Sequence, residues 1–100
     1  MTLSLKTPKE IQQDIANRLK TKRLDQKLTQ VGLATRSGVS LGSIKRFERT
    51  GEVSFYSLLQ IASVLNCLDE CDRLFQSDPK PVTLFGNEEK TSKRKRGNIK

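Results

Sequence analysis

Between Thr29 and Gly51 the chain writes one pattern twice: a hydroxyl residue, a short run with apolar residues at helical spacing, then a glycine. A threonine or serine in that place accepts a hydrogen bond from one of the free N–H groups that open a helix. A glycine in that place suits the left-handed residue on which many helices end. The pattern predicts helices over residues 29–37 and 41–49, joined by the turn Gly38-Val39-Ser40. The second helix, in "SLGSIKRFERTG", is unusual. Gly42 leaves a bare patch in its first turn, and Lys45 and Arg46 follow one turn later. Ile44 and Phe47 are its inward residues.

The flanking sequence predicts more helices. Thr7, Pro8 and Glu10 together form a helix start, with a cap, a favoured first residue and the acid of a capping box. Ile11, Ile15, Ala16 and Leu19 recur at helical spacing to about Leu24. Val31, Leu33 and Ala34 are the apolar positions of the helix after Thr29. Gly32 within it marks either a close helix contact or a tolerated cost of about 1 kcal/mol. Ser54 caps a run rich in apolar residues, Phe55, Leu58, Leu59, Ile61, Ala62 and Leu65, predicted to be the most buried helix and to end at Asn66. "LDECDRLF" predicts a short acidic fifth helix with Leu68, Cys71, Leu74 and Phe75 on one side. The fold class is therefore all-α, with five helices in a domain spanning 7–76. The extension 77–100 carries Pro79 and Pro81, a short strand-like run near 82–85, and a tail from 87 to 100 without apolar periodicity that is expected to be disordered.

Charge divides the function classes. The net charge is +8, so an acidic partner is the first expectation. Residues 1–51 hold 11 Lys/Arg against 4 Asp/Glu, residues 52–89 hold 2 against 7, and residues 90–100 hold 6 against none. Basic, acidic and basic blocks suggest one face for a polyanion and another for a different partner. The chain has no histidine, and therefore lacks the commonest general base and metal ligand. Cys67 and Cys71 lie four apart, one helical turn, which suits neither a zinc site nor a disulfide; they read as small apolar residues in a reducing cytoplasm. No catalytic residues, metal or cofactor are expected. No apolar run approaches the ~20 residues of a membrane span, and "MTLSLKTPKE" is too weakly apolar for a secretion signal. A cytoplasmic protein, on the nucleoid when bound to DNA, is expected.

The two short helices and their glycine turn are a helix-turn-helix. Leu28, Gln30, Leu33-Ala34, Ser37-Gly38-Val39-Ser40, Ile44, Phe47-Glu48, Gly51 and "SLLQIASVL" together resemble the Xre/phage-repressor family of DNA-binding domains over roughly residues 19–65. The resemblance implies that the second helix enters the major groove and the first crosses the backbone. It presents Leu41, Gly42, Ser43, Lys45 and Arg46 to the bases. Gln30 would anchor a phosphate, with Thr29, Lys22, Arg36 and Arg49 as further phosphate contacts. Arg23 and Glu48 occupy the positions of a structural ion pair between the first helix and the reading helix. Where the family often has polar readers, this chain has Leu41 and Gly42, so hydrogen-bonded readout falls to Ser43, Lys45 and Arg46. Leu41 suits a thymine methyl, and Arg46 a guanine.

The C-terminal layout, an acidic helix, a proline-punctuated "DPKPVTLF" and a basic end, is similar to that of HipB-like antitoxins. That resemblance implies a kinase-like HipA toxin as protein partner and a dimerisation strand of Val82, Thr83, Leu84 and Phe85 pairing across a two-fold axis. A reading helix this poor in hydrogen-bonding side chains is expected to need a second half-site, hence a homodimer on an inverted-repeat operator. Two alternatives stay open: a stand-alone phage-type or restriction-modification controller repressor, and a protein–protein adaptor that does not bind DNA.

Overall fold

The computed structural model describes residues 5–77. The strand expected at Val82–Phe85 and the basic tail lie outside the described residues. Five helices follow in order: α1 Pro8–Asp25, α2 Gln30–Ser37, α3 Leu41–Thr50, α4 Phe55–Val64 and α5 Leu68–Asp72. No strand occurs among the described residues.

The helix starts are set by side chains. Thr7 accepts from the Glu10 N–H at 3.1 Å while the Glu10 carboxylate accepts from the Thr7 N–H at 2.8 Å, a closed capping box. Thr29, Ser40 and Ser54 cap α2, α3 and α4 by accepting from Gly32, Ser43 and Ser57. Gly32 makes no close helix contact. A Cβ there would stand 3.2 Å from the Thr29 hydroxyl, so its small size relieves the cap. Gly38 and Gly51 end α2 and α3 at φ +78 and +83. Gly51 has a second reason to be glycine, because a Cβ would sit 3.0 Å from the Gln12 backbone of α1.

Two further helices end on left-handed residues with side chains, Lys27 (φ 59) and Asn66 (φ 64). The Leu28 N–H donates to Arg23 O and the Cys67 N–H to Ala62 O, at 3.0 and 2.9 Å. These six-residue closures satisfy carbonyls that the helices leave open. Gln26 Nε2 also donates to Leu65 O at 2.9 Å, tying the end of α1 to the end of α4.

The core is Ala16 and Leu19 of α1, Leu33 of α2, Val39 of the turn, Ile44 and Phe47 of α3, Ile61 and Ala62 of α4, and Leu65 and Cys67 beyond it. Leu33, Ile44, Ile61 and Leu65 are its largest fully buried side chains. Several apolar residues expected inside are at the surface. Ile11 and Val31 are exposed, Phe55 is 62% exposed and Phe75 97%. Ile11, Val31 and Phe55 lie in the first turns of their helices, before the helix reaches the core. Helix α5 stops at Asp72, so Phe75 leaves the face that helical spacing assigned it, while Leu74 stays beside Cys71 at the edge of the core. Cys71 is half-buried beside the core. Burial pushes both thiols, Cys67 and Cys71, up from their ordinary range, so neither is a thiolate at neutral pH.

One polar cluster penetrates this core. Arg23 Nε donates to Glu48 Oε2 at 2.7 Å and Nη2 to Oε1 at 3.1 Å. Its Nη1 donates to Leu28 O at 2.7 Å. Gln30 Nε2 donates to Glu48 Oε1 at 2.8 Å, and Gln13 Nε2 reaches Glu48 O at 3.4 Å. The two charged side chains are 7% and 6% exposed. The guanidinium fork and the carboxylate meet edge to edge, joining α1, α3 and the start of α2.

Two contrasts follow. Glu48→Ala leaves Arg23 buried without its counter-charge and is expected to cost about 3–5 kcal/mol, whereas Arg23→Met with Glu48→Leu is expected to stay within about 1–2 kcal/mol of the parent. Chemical denaturation of the three proteins checks this, and equal stability of Glu48→Ala and the parent would contradict it. Gly51→Ala is expected to lose at least about 1–2 kcal/mol from its left-handed backbone. Gly42 has ordinary φ and nothing within 4 Å of a built Cβ. Gly42→Ala is therefore expected to gain up to about 1 kcal/mol, and melting curves of the two variants should move in opposite directions.

Candidate nucleic-acid interface

The α3 helix owes its position to two kinds of contact. Ile44 and Phe47 are buried, 0% and 2% exposed, and hold one face on the core. Glu48, on the flank, is held by Arg23 and Gln30. The remaining residues, Gly42, Ser43, Lys45, Arg46 and Arg49, are exposed, with Leu41 half-buried. An α-helix of 10 residues is about 15 Å long, and it suits a B-DNA major groove about 12 Å wide. The exposed side carries three cations and no acid of its own.

The structure separates the expected contact residues by environment. Gly42 leaves open space above α3. The Ser40 hydroxyl donates to Ser43 Oγ at 2.9 Å, and Ser40 also caps the helix. Ser43 is thus already engaged with the cap. Arg46 carries two hydrogen bonds to Glu52 Oε1, from Nε at 3.0 Å and from Nη2 at 2.5 Å. Its side chain is still 63% exposed. Glu52 lies two residues past α3, and the Arg46 guanidinium holds its carboxyl below the usual carboxylate range, so it is ionised at neutral pH. Ser43, Arg46, Glu52, Val53, Ser54 and Ser57 line one open hollow where α3 meets the start of α4.

Glu52 is a site residue that periodicity does not find. It sits beyond the left-handed turn at Gly51, which reverses the chain, so no helical spacing relates it to Arg46. Thr50 is the connection. Its hydroxyl donates to Arg46 O at 2.8 Å and accepts from the Glu52 N–H at 3.1 Å.

On the α2 side, Thr29 and Arg36 are exposed. Gln30 Nε2 donates one of its two N–H groups to Glu48 Oε1. Its backbone N–H, at the first position of α2, has no intrahelical acceptor, and it faces the end of the helix where an anion is favoured. Lys22 stands apart from the others. It is half-buried against α5, 3.9 Å from Glu70, and with Ile15, Leu19, Cys67 and Leu74 lines an apolar groove. Asp69, Glu70 and Asp72 are exposed on α5 beside it. Among the described residues no group of three or more His, Cys, Asp or Glu could hold a metal, and no helix is long and apolar enough to cross a membrane.

No curated protein sequence matches the chain. Residues 19–69 match the family model described as helix-turn-helix, half of the 100 residues. The match begins within α1, takes in α2, the glycine turn, α3 and α4, and ends in α5. The chain belongs to the Xre-like helix-turn-helix family of DNA-binding regulators.

Proposed function

We propose that this chain is a sequence-specific transcriptional repressor that binds an inverted-repeat operator as a homodimer. The observation that carries the reading is α3 itself. Its apolar side is buried, its carboxylate is locked away from solvent by Arg23 and Gln30, and what it exposes is Lys45, Arg46 and Arg49. Arg46 is the principal base reader, since Leu41 and Gly42 have no side-chain donors, and the guanidinium offers the bidentate donor pair that suits a guanine where the Ser43 hydroxyl offers a single O–H. Leu41 meets a thymine methyl and Lys45 a base edge or phosphate. Thr29, Gln30 through its backbone N–H, Arg36 and Arg49 hold phosphates. Lys22, held beside Glu70, is the weakest member of that set.

The dimer is supported by exposed apolar side chains at the start of α4 and in and just after α5. Phe55, Tyr56, Leu68, Leu74 and Phe75 are between 44% and 97% exposed, more than a small monomer usually leaves in water. An antitoxin role beside a HipA-like kinase toxin is the finer form of the proposal. It is supported by the order of charges in the sequence, with an acidic stretch available to a protein partner between two basic blocks. A kinase-like reading frame next to this one, and co-purification of its product, would distinguish that role from a stand-alone repressor.

Selection of duplexes from a random pool tests the reading directly. The expected product is an inverted repeat with half-sites about 34 Å apart or a multiple of it, because both copies of α3 must face one side of the duplex. A pool without enrichment contradicts sequence-specific binding, and an enriched single half-site bound by a sedimenting monomer contradicts the dimer. Arg46→Ala is expected to cost about 1–3 kcal/mol on the selected site and to flatten discrimination at one base pair per half-site. Arg36→Ala is expected to weaken selected and random DNA alike. An unchanged ranking of site variants for Arg46→Ala would remove it as a base reader.

A further inference from the structure

Glu52 is an acid on the cationic side of the molecule. Arg46, Lys9 and Arg49 all act to lower its carboxyl's proton affinity, so it sits in the field that would attract a polyanion. Its charge weakens that field, and charge alone gives no reason for it to be there.

The hydrogen-bond geometry supplies one. Both bonds from Arg46 end on the same oxygen, Glu52 Oε1, and they use the side edge of the guanidinium, Nε and one N–H of Nη2. Among the described residues Nη1 donates to nothing. Nη1 and the outer N–H of Nη2 form the end of the fork, which remains a parallel donor pair able to meet guanine O6 and N7 together once Glu52 takes the side edge. The carboxylate therefore occupies the edge a guanine does not need and leaves open the edge it does. Glu52 is itself anchored, since its N–H donates to Thr50 Oγ1, Thr50 binds Arg46 O, and Gly51 closes α3 with a bond of 2.7 Å to Phe47 O. Carboxylate and guanidinium are thus fixed to the same end of the same helix.

We propose that Glu52 is a specificity-determining positioning residue, which holds the Arg46 guanidinium side-on so that its free end is presented to a guanine before DNA arrives. The inference rests on the reading of α3 as the groove-binding helix. A long side chain loses rotamer freedom when it binds, and a side chain already held loses less. An arginine without this support makes phosphate contacts as readily as base contacts, and phosphate contacts carry no sequence information.

The test separates positioning from charge. Wild type, Glu52→Ala, Glu52→Gln, Arg46→Ala and the Arg46→Ala/Glu52→Ala double variant are titrated against the selected operator, each of its single-base variants, and random duplex. If Glu52 positions Arg46, Glu52→Ala binds random DNA as well as wild type or better, yet loses about 5- to 10-fold in discrimination. The loss falls at the same base pair that Arg46→Ala flattens. Glu52→Gln, which keeps an acceptor oxygen, retains part of that discrimination, and the double variant discriminates no worse than Arg46→Ala. A uniform rise in affinity with unchanged ranking would show a carboxylate that only repels DNA, and overturn the proposal. So would a loss at a different base pair. Because the pair is exposed, both Glu52 variants are expected to melt like wild type. Glu52→Gln stands in if Glu52→Ala does not. If wild type enriches no sequence at all, groove reading by α3 fails first and this inference with it. If wild type enriches a site and the Glu52 variants rank its variants as wild type does, this inference fails alone.

Discussion

The buried pair between Arg23 and Glu48 sets the geometry on which the rest of this small domain depends. Apolar contacts from Ile44 and Phe47 hold α3 on the core, but such contacts are tolerant of rotation and slip. The guanidinium–carboxylate fork is not, because two parallel hydrogen bonds fix both distance and plane. Glu48 also accepts from Gln30, so the same carboxylate sets the start of α2 against α3. Arg23 in turn holds Leu28 O, which lies in the connection between α1 and α2. Three helix directions are thus referred to one charged pair. Burying those charges costs solvation, so an apolar pair of the same volume is expected to come within about 1–2 kcal/mol of it. What the pair supplies here is a single defined angle for α3, the helix that meets DNA on the proposed reading.

Much of this was legible in the sequence, for physical reasons that can be named. Capping hydroxyls and left-handed glycines are local, and each is decided within a few residues. Thr7, Thr29, Ser40, Ser54, Gly38 and Gly51 therefore read correctly from their neighbours alone. Lys27 did not, because a left-handed lysine is held by the hydrogen bonds on either side of it, and its type gives no sign of them. Apolar residues near helix starts, such as Phe55 and Val31, read as core because periodicity describes a face and not the depth reached along it. The Arg46–Glu52 pair was invisible to periodicity because the turn at Gly51 breaks the helical register between them. The side-chain contact of Gln30 was hidden for a similar reason. Its neighbour in space, Glu48, is 18 positions away in sequence.

The distribution of charge gives the molecule two ends. Lys45, Arg46 and Arg49 lie exposed on α3, while Asp69, Glu70 and Asp72 lie at α5. With the acids on α5 and the cations on α3, a polyanion is drawn to α3 in preference to α5. Lys22 shows the same partition. It is a lysine of the basic half of the chain, yet its partner is Glu70, so its charge is spent within the acidic end.

On the proposed reading, magnitudes decide how specificity must be divided. One bidentate arginine contact supplies about 1–3 kcal/mol of discrimination. A two-fold dimer doubles it to about 2–6 kcal/mol, whereas a specific complex exceeds non-specific binding by roughly 4–10 kcal/mol. Ser43 adds little while its oxygen is held by Ser40, and Gly42 adds no side-chain contact. Lys45 adds a donor where it meets a base edge, and the rest comes from terms that need no donors. A methyl contact from Leu41 is one. The other is the energy of fitting DNA to two helices fixed at a set spacing, which differs between flexible and stiff base steps. A bare Gly42 helps here, because it lets the helix backbone lie closer to the groove wall than a side chain would. The sequence dependence of such a protein would then appear partly at base pairs that no side chain touches, between the half-sites. It would also depend on the rigidity of α3, and hence on the buried Arg23–Glu48 pair as much as on the residues that meet the bases.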